Sequence, residues 1–258
     1  MRRQAGPVWR AAGAAMLVAI LAGCQSAGSA RKPPALRIGV RENAAPLVFR
    51  EHNRWQGLEA DLARLLAGRL QMRPVFVALS GNQLPAALLA GKVDVLMAGL
   101  PVREELRTEM DFATPYLVVG QAALVRTGDL RRFNTAIKIR SVQGPVAVRP
   151  DTDGARFAAR YFTQAESIAF DRTPAAVQAL LEGRVMLVFD DAPALWWTAL
   201  QYPGHVAVAP ALFDRREIAW AFRRGSVSLR EAANAALADW QRDGTLENVL
   251  RRWIPFSK

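Results

Sequence analysis

The 258-residue sequence has one cysteine, two histidines and three tyrosines, and none of its apolar runs is long enough to cross a bilayer. Each shortage removes a class of function. A lone cysteine has no partner for an internal disulfide, even in a compartment that would permit one. Cys24, His52 and His205 share no ligand spacing, so neither a metal site nor a cofactor is expected. Neither histidine sits in a motif, and His205 follows Pro203-Gly204, the setting of an exposed loop residue. Acids are also short: 34 Lys and Arg oppose 23 Asp and Glu, for a net charge of +11. Thirty of the basic residues are arginine, which reflects genomic base composition as much as function. No basic run is interleaved with aromatics, so nucleic acid is not an expected partner. No segment is low in complexity and 51% of residues are hydrophobic, enough for a large core in one or two domains.

What is present begins at the N-terminus. Arg2, Arg3 and Arg10 precede an apolar run over residues 11–22, followed by Gly23 and Cys24. A spanning helix needs about 20 apolar residues, so this shorter run fits the core of a signal peptide. Leu21-Ala-Gly-Cys24 resembles the lipobox of bacterial lipoproteins, in which the cysteine becomes the lipidated first residue. Residues 25–34 (Gln-Ser-Ala-Gly-Ser-Ala-Arg-Lys-Pro-Pro) have the composition of a tether. The expectation is a signal peptide over 1–23, a tether over 24–35, and an exported periplasmic or extracytoplasmic protein anchored to the membrane through Cys24.

Ala87-Leu-Leu-Ala-Gly-Lys-Val-Asp-Val-Leu-Met97 has a near copy 92 residues later, Ala179-Leu-Leu-Glu-Gly-Arg-Val-Met-Leu-Val-Phe189. Each copy reads as a helix end, a glycine in the left-handed C′ position, a basic residue and a strand covered on both faces. A helix feeding such a strand is half of a βαβ unit. Two copies predict two similar α/β lobes, with a ligand cleft beyond the carboxyl ends of their strands. Further strands are expected at 36–40, 74–78 and 145–148, with loops at 43–46 and 151–154. Helices are expected at 57–70, with Leu58, Leu62, Leu65, Leu66 and Leu70 on one packed face, and at 83–90 and 246–253. Another opens at Thr173-Pro174, with the threonine as cap, and one opens at a Ser228-Leu-Arg-Glu231 capping box. Crossing strands at 121–126 and 218–222 divide the chain into a first lobe, 36–117 plus 218–258, and an inserted second lobe, 118–217. For the adjacent Trp196 and Trp197, packing explains at least one better than ligand stacking.

Six motifs then occur in order: Leu36-Arg-Ile-Gly-Val40, Gly57-Leu-Glu-Ala-Asp-Leu-Ala63, Leu84-Pro-Ala-Ala-Leu88, Gly91-Lys-Val-Asp94, Asp111-Phe-Ala-Thr-Pro-Tyr116 and Asp243-Gly-Thr245. Together they resemble the bacterial extracellular solute-binding proteins, family 3, the polar-amino-acid class. The resemblance implies a type II periplasmic-binding-protein-like fold: two α/β lobes joined by two crossing strands. It also implies a monomer that closes over a small solute and passes it to the membrane permease of an ABC importer. By their placement beyond strand ends in the repeated units, the expected ligand-binding residues are Asn43, Ala44, Gly99, Leu100, Arg103, Thr152, Asp153 and Asp191.

Several positions depart from the family pattern. Where amino-acid binders place the arginine that holds the α-carboxylate, this chain has Leu106, which cannot make bidentate charge-assisted bonds. Arg103, three residues earlier on the expected helix, is the better substitute, since Arg107 points about 100° away. The family's Gly-Thr-Thr loop appears as Asp151-Thr152-Asp153. There an aspartate either repels a carboxylate or caps the following helix. Asp191 stands where the family places the acid that holds the α-ammonium, with Asp190 directed to the other side of the strand. Two places that often carry aromatics hold Ala44 and Gly81.

The expected solute is therefore small, polar and either cationic or amino-acid-like. Common α-amino acids are expected to bind no better than about 1 mM, or roughly −4 kcal/mol. Two alternatives are an accessory or sensor lipoprotein with a divergent pocket, and a periplasmic dehydratase-like enzyme using Asp153 and Asp191 as general acid and base. A role as the regulatory half of a membrane-bound lytic transglycosylase, which this fold also serves, is not expected with five residues after Trp253. One prediction follows from the N-terminus: mass spectrometry of membrane-extracted protein will find acyl groups on Cys24, and Cys24→Ser will block processing. A mature, unlipidated chain starting elsewhere would contradict it.

Overall fold

The computed structural model describes residues 32–254. Cys24, the signal peptide expected over 1–23 and most of the tether expected over 24–35 lie outside these residues. Two sheets built on one plan organise the rest. In the first, the strand order is Arg73–Leu79, Ala35–Arg41, Val95–Leu96, Ala221–Arg223 and Met110–Phe112. In the second it is Ala165–Ala169, Gly144–Val148, Leu187–Asp191, Leu117–Arg126 and Val206–Val208. Each sheet opens with three parallel strands whose third member is the repeat strand, and each then continues with an antiparallel one. The two copies of the sequence repeat thus occupy equivalent places in equivalent sheets. Gly91 (φ +66°) and Gly183 (φ +75°) adopt the left-handed conformation that ends the preceding helices.

Motif residues tie the first unit together. Arg37 reaches both oxygens of Asp94, at 2.5 and 3.1 Å, and donates to the Gly91 carbonyl at 2.7 Å. One arginine thereby joins the first strand to the turn that launches the repeat strand. In the second unit Arg126 does comparable work, donating to the carbonyls of Leu180 and Val185.

The chain passes from the first sheet to the second in the strand Leu117–Arg126 and returns in Phe213–Ile218, which pairs antiparallel with it from Leu117↔Ile218. The return crossing therefore lies earlier than the expected 218–222, because Ala221–Arg223 is already bonded into the first sheet. Three other expectations are corrected. Thr173 is the first residue of the helix Thr173–Leu181 and does not cap it; Arg172 precedes it without a side-chain bond. The helix Val227–Arg242 starts after Ser226, so the capping box at Ser228 and Glu231 is not formed. In Leu58–Arg69 the buried face is centred on Glu59, Ala63 and Leu66, which leaves Leu65 exposed at its edge. Trp196 is buried, and Trp197 packs 5.5 Å from the Phe49 ring and 6.2 Å from that of Trp253. No helix among the described residues is long and apolar enough to cross a membrane.

The side chain of Glu59, fully buried in the first turn of Leu58–Arg69, fastens the base of the first lobe. Its Oε1 accepts from the Gly99 amide (2.8 Å) and the Tyr116 hydroxyl (2.7 Å), and its Oε2 from the Trp220 indole (2.9 Å). Burial pushes the Glu59 carboxyl above its ordinary value, against the pull of these donors, and holds the Tyr116 hydroxyl well above its own. All three partners are donors, so an amide in place of the carboxylate would set one donor against another. Glu59→Gln is accordingly expected to cost about 1–3 kcal/mol, the penalty for an unmet buried polar group. Urea denaturation measures it, and unchanged stability would refute this role.

Candidate functional site

The parallel strands of both sheets end at a common cavity of about 290 Å³. Arg41 closes Ala35–Arg41, Gly99 follows Val95–Leu96, Arg149 follows Gly144–Val148, and Asp191 ends Leu187–Asp191; all four line this space. Open α/β sheets place ligand sites at such strand ends, where loops rather than helices cover the edge. The size suits a solute at the small end of those that pockets enclose.

Six of the eight residues singled out in the sequence line the cavity: Asn43, Ala44, Gly99, Arg103, Asp153 and Asp191. Leu100 and Thr152 do not. The Leu100 side chain is buried in an apolar cluster with Leu84, Val93 and Met110. The Thr152 hydroxyl is the N-cap of Asp153–Tyr161, accepting from the Ala155 amide at 3.1 Å and donating to the Arg149 carbonyl at 2.7 Å. The capping role that was open to Asp151 or Asp153 thus belongs to the threonine between them. A hydroxyl committed at both ends is better placed to hold the loop than to hold a solute. Gly99 adopts φ +63°, and a Cβ there would stand 2.5 Å from the Leu47 side chain, so the loop that donates to Glu59 cannot carry a larger residue unchanged.

Arg103 reaches the cavity by a different route from the expected one. It has an extended backbone and precedes the short helix Glu104–Arg107, so it does not share a helix face with Leu106. Leu106 packs half-buried against the cluster around Leu84 and Met110, and Arg107 pairs with Glu104. Gly81 stands beside another arginine: a Cβ at Gly81 would lie 3.9 Å from Nη2 of Arg41, which lines the cavity nearby.

Three lining arginines were not anticipated: Arg41, Arg149 and Arg216. Arg216 donates through Nη1 to Asp153 Oδ2 at 2.6 Å and through Nη2 to Asp214, while Asp153 Oδ1 accepts from Arg156. Hydrogen bonding from Arg216, then from Arg156, holds the Asp153 carboxyl below its ordinary range. Asp153 therefore does not confront a solute carboxylate as a bare charge. Of the two losses behind the expectation of weak α-amino-acid binding, this one is offset within the second lobe. Arg149 donates to Asp190 Oδ1 at 3.0 Å, and its buried Nε has no partner among the described residues. Asp190 lies behind the lining, as expected, with its carboxyl raised by burial against the pull of Arg149. Asp191 faces the cavity, and its Oδ1 accepts from Gln121 Nε2 at 2.5 Å. Among the described residues no group of three His, Cys, Asp or Glu side chains is placed to hold a metal. Both histidines are exposed.

The Asp153 cluster has a pH signature. A carboxyl held low in the fold contributes stability above its unfolded value, near pH 4, and loses it as pH falls through the folded one. Both partners are partly solvated, so the contribution is about 1 kcal/mol or less. Thermal melts from pH 7 to pH 2.5 should fall less steeply on the acid side in Asp153→Asn; identical slopes would show that the cluster does not couple to folding.

Comparison with known proteins agrees with this geometry. The sequence profile of the bacterial extracellular solute-binding proteins, family 3, matches residues 36–256. An L-cystine-binding protein of Escherichia coli (strain K12) is 26% identical over 220 residues, 85% of this chain and 82% of that one. The histidine-binding periplasmic protein of Salmonella typhimurium is 24% identical over 242 residues, 90% and 92% of the two chains. Among solved structures, an ancestral cationic amino-acid solute-binding protein superposes with a TM-score of 0.78 at 26% identity, covering 85% of this chain and 95% of that one. The two similar sheets, the paired crossing strands and the cavity at their shared strand ends are the type II periplasmic-binding-protein fold, and the chain belongs to the bacterial extracellular solute-binding proteins, family 3.

Proposed function

We propose that the chain is a lipid-anchored, extracytoplasmic solute-binding protein that works as a monomer and delivers a small, polar, amino-acid-like solute to the permease of an ABC importer. The observation that carries this reading is the single cavity lined from both sheets, with Arg41, Gly99 and Arg103 on one side and Arg149, Asp153 and Asp191 on the other. A solute touching both sides stabilises the closed arrangement by its extra contacts, which is how binding drives hinge closure. The lobes that move are residues 36–117 with 218–258, and residues 118–217, and the paired strands Leu117–Arg126 and Phe213–Ile218 are the hinge. Asp191 takes a cationic group of the solute, its second carboxylate oxygen being available beside the one held by Gln121. Anchoring rests on Leu21-Ala-Gly-Cys24. Asp153 is ill suited to acid catalysis, because its arginine partners favour the ionised form.

The test combines a thermal-shift screen of amino acids and related metabolites with small-angle scattering. A solute that stabilises the fold should also compact it, and Asp191→Asn should weaken that solute about 10- to 100-fold, the loss of one charge-assisted bond. A stabilising solute that leaves the scattering unchanged and ignores Asp191→Asn would refute the cleft reading.

A further inference from the structure

We infer that the solute of this cleft is net anionic and carries two acid groups beside its cationic one, the pattern of an amino dicarboxylate; the inference rests on the solute-binding reading above. The lining holds four arginines, Arg41, Arg103, Arg149 and Arg216, and two aspartates, Asp153 and Asp191. Internal pairing cancels most of this charge. Asp153 has both oxygens engaged by arginine, Arg216 also pairs with Asp214, and Arg149 is matched by the buried Asp190.

Three charges remain. The guanidinium groups of Arg41 and Arg103 have no ion pair or hydrogen bond within the described residues, and the Asp191 carboxylate is held only by the neutral amide of Gln121. The uncompensated lining is therefore two positive charges from the first lobe facing one negative charge from the second. Its complement is a solute with two acid groups and one ammonium. Guanidinium groups suit carboxylates because their paired donors match both oxygens. Small residues, Ala44, Ala98 and Gly99, stand among the larger Leu47 and Pro101 in the wall around them and leave room for the acid groups to reach both arginines. A lysine-like or arginine-like solute would instead bring two cations to one aspartate, and its single carboxylate would leave one of the two arginines unmatched beside the surplus cation. Such like-charge juxtaposition is the means by which binding sites reject the wrong partner.

Titration calorimetry on the full chain in detergent micelles decides the matter with six probes: L-glutamate, L-aspartate, succinate, L-lysine, L-arginine and inorganic phosphate. Binding of L-glutamate or L-aspartate is expected, with L-lysine and L-arginine undetectable. Arg41→Gln and Arg103→Gln should each weaken that binding by roughly tenfold or more, the effect of one lost charge-assisted bond. Both arginines are exposed, so these variants should fold as the parent does, which circular dichroism checks. Asp191→Asn should weaken the amino dicarboxylate and spare succinate. Tighter binding of L-lysine or L-arginine than of any diacid overturns the inference. So does binding of phosphate alone, or diacid binding indifferent to both arginine substitutions. If a metabolite of another charge class compacts the protein, the inference falls while the solute-binding reading stands. If no metabolite does, that reading falls first.

Discussion

Much of the first lobe depends on one buried carboxylate. Glu59 gathers the amide of Gly99, the hydroxyl of Tyr116 and the indole of Trp220, three groups from three segments distant in sequence. Gly99 belongs to the loop that lines the cavity, Tyr116 immediately precedes the outgoing crossing strand, and Trp220 follows the return one. A single side chain thus fixes the cavity floor relative to both crossing strands. Burying a carboxylate is costly, and here three directed donors offset that cost. The geometry leaves no equivalent residue, since glutamine offers a donor where an acceptor is needed and an apolar residue leaves all three donors unmet. Gly99 adds a second constraint, because its left-handed backbone strains any larger residue and a Cβ there would force the Leu47 side chain to move.

The second lobe is held differently. Its cleft-facing groups are fixed by ion pairs at the strand ends, Arg149 with Asp190 and Arg216 with Asp153 and Asp214. These pairs set the direction of the side chains while cancelling most of their charge. What remains for a solute is set by which charges are left unmatched, not by how many charges line the cavity. Four arginines alone would describe a strongly basic pocket; after pairing, Arg41 and Arg103 opposite Asp191 describe a site with a defined charge pattern.

Most of the fold was legible in the sequence because its signals are backbone constraints. Gly91 and Gly183 mark the same left-handed turn twice, and the apolar runs after them can only be covered strands. Helix starts were less legible: Thr173 and Ser228 both lie inside their helices, one residue and two residues past the caps at Arg172 and Ser226. The lining of the candidate site was legible where a position follows from a strand end, as for Gly99 and Asp191, and obscure where it depends on side-chain pairing. Arg41, Arg149 and Arg216 are three of thirty arginines, and nothing local distinguishes them from solvated ones. Thr152 and Asp153 are both good capping residues, so their division of labour was decided only by the register of the helix start. Glu59 lay within a quoted motif, but acids in first turns usually face solvent and favour the helix dipole. Its signal was the flanking pair Leu58 and Ala60, both buried, which leaves the acid little access to water.

The central claim is that one solute is held between the two sheets at their shared strand ends. A crystal structure of the protein with its solute bound tests it most directly. The account predicts a solute bonded to Arg103 from the first lobe and Asp191 from the second, with the two sheets drawn closer than in the unliganded protein. A solute held by one lobe alone, or lying outside the cavity, would contradict it.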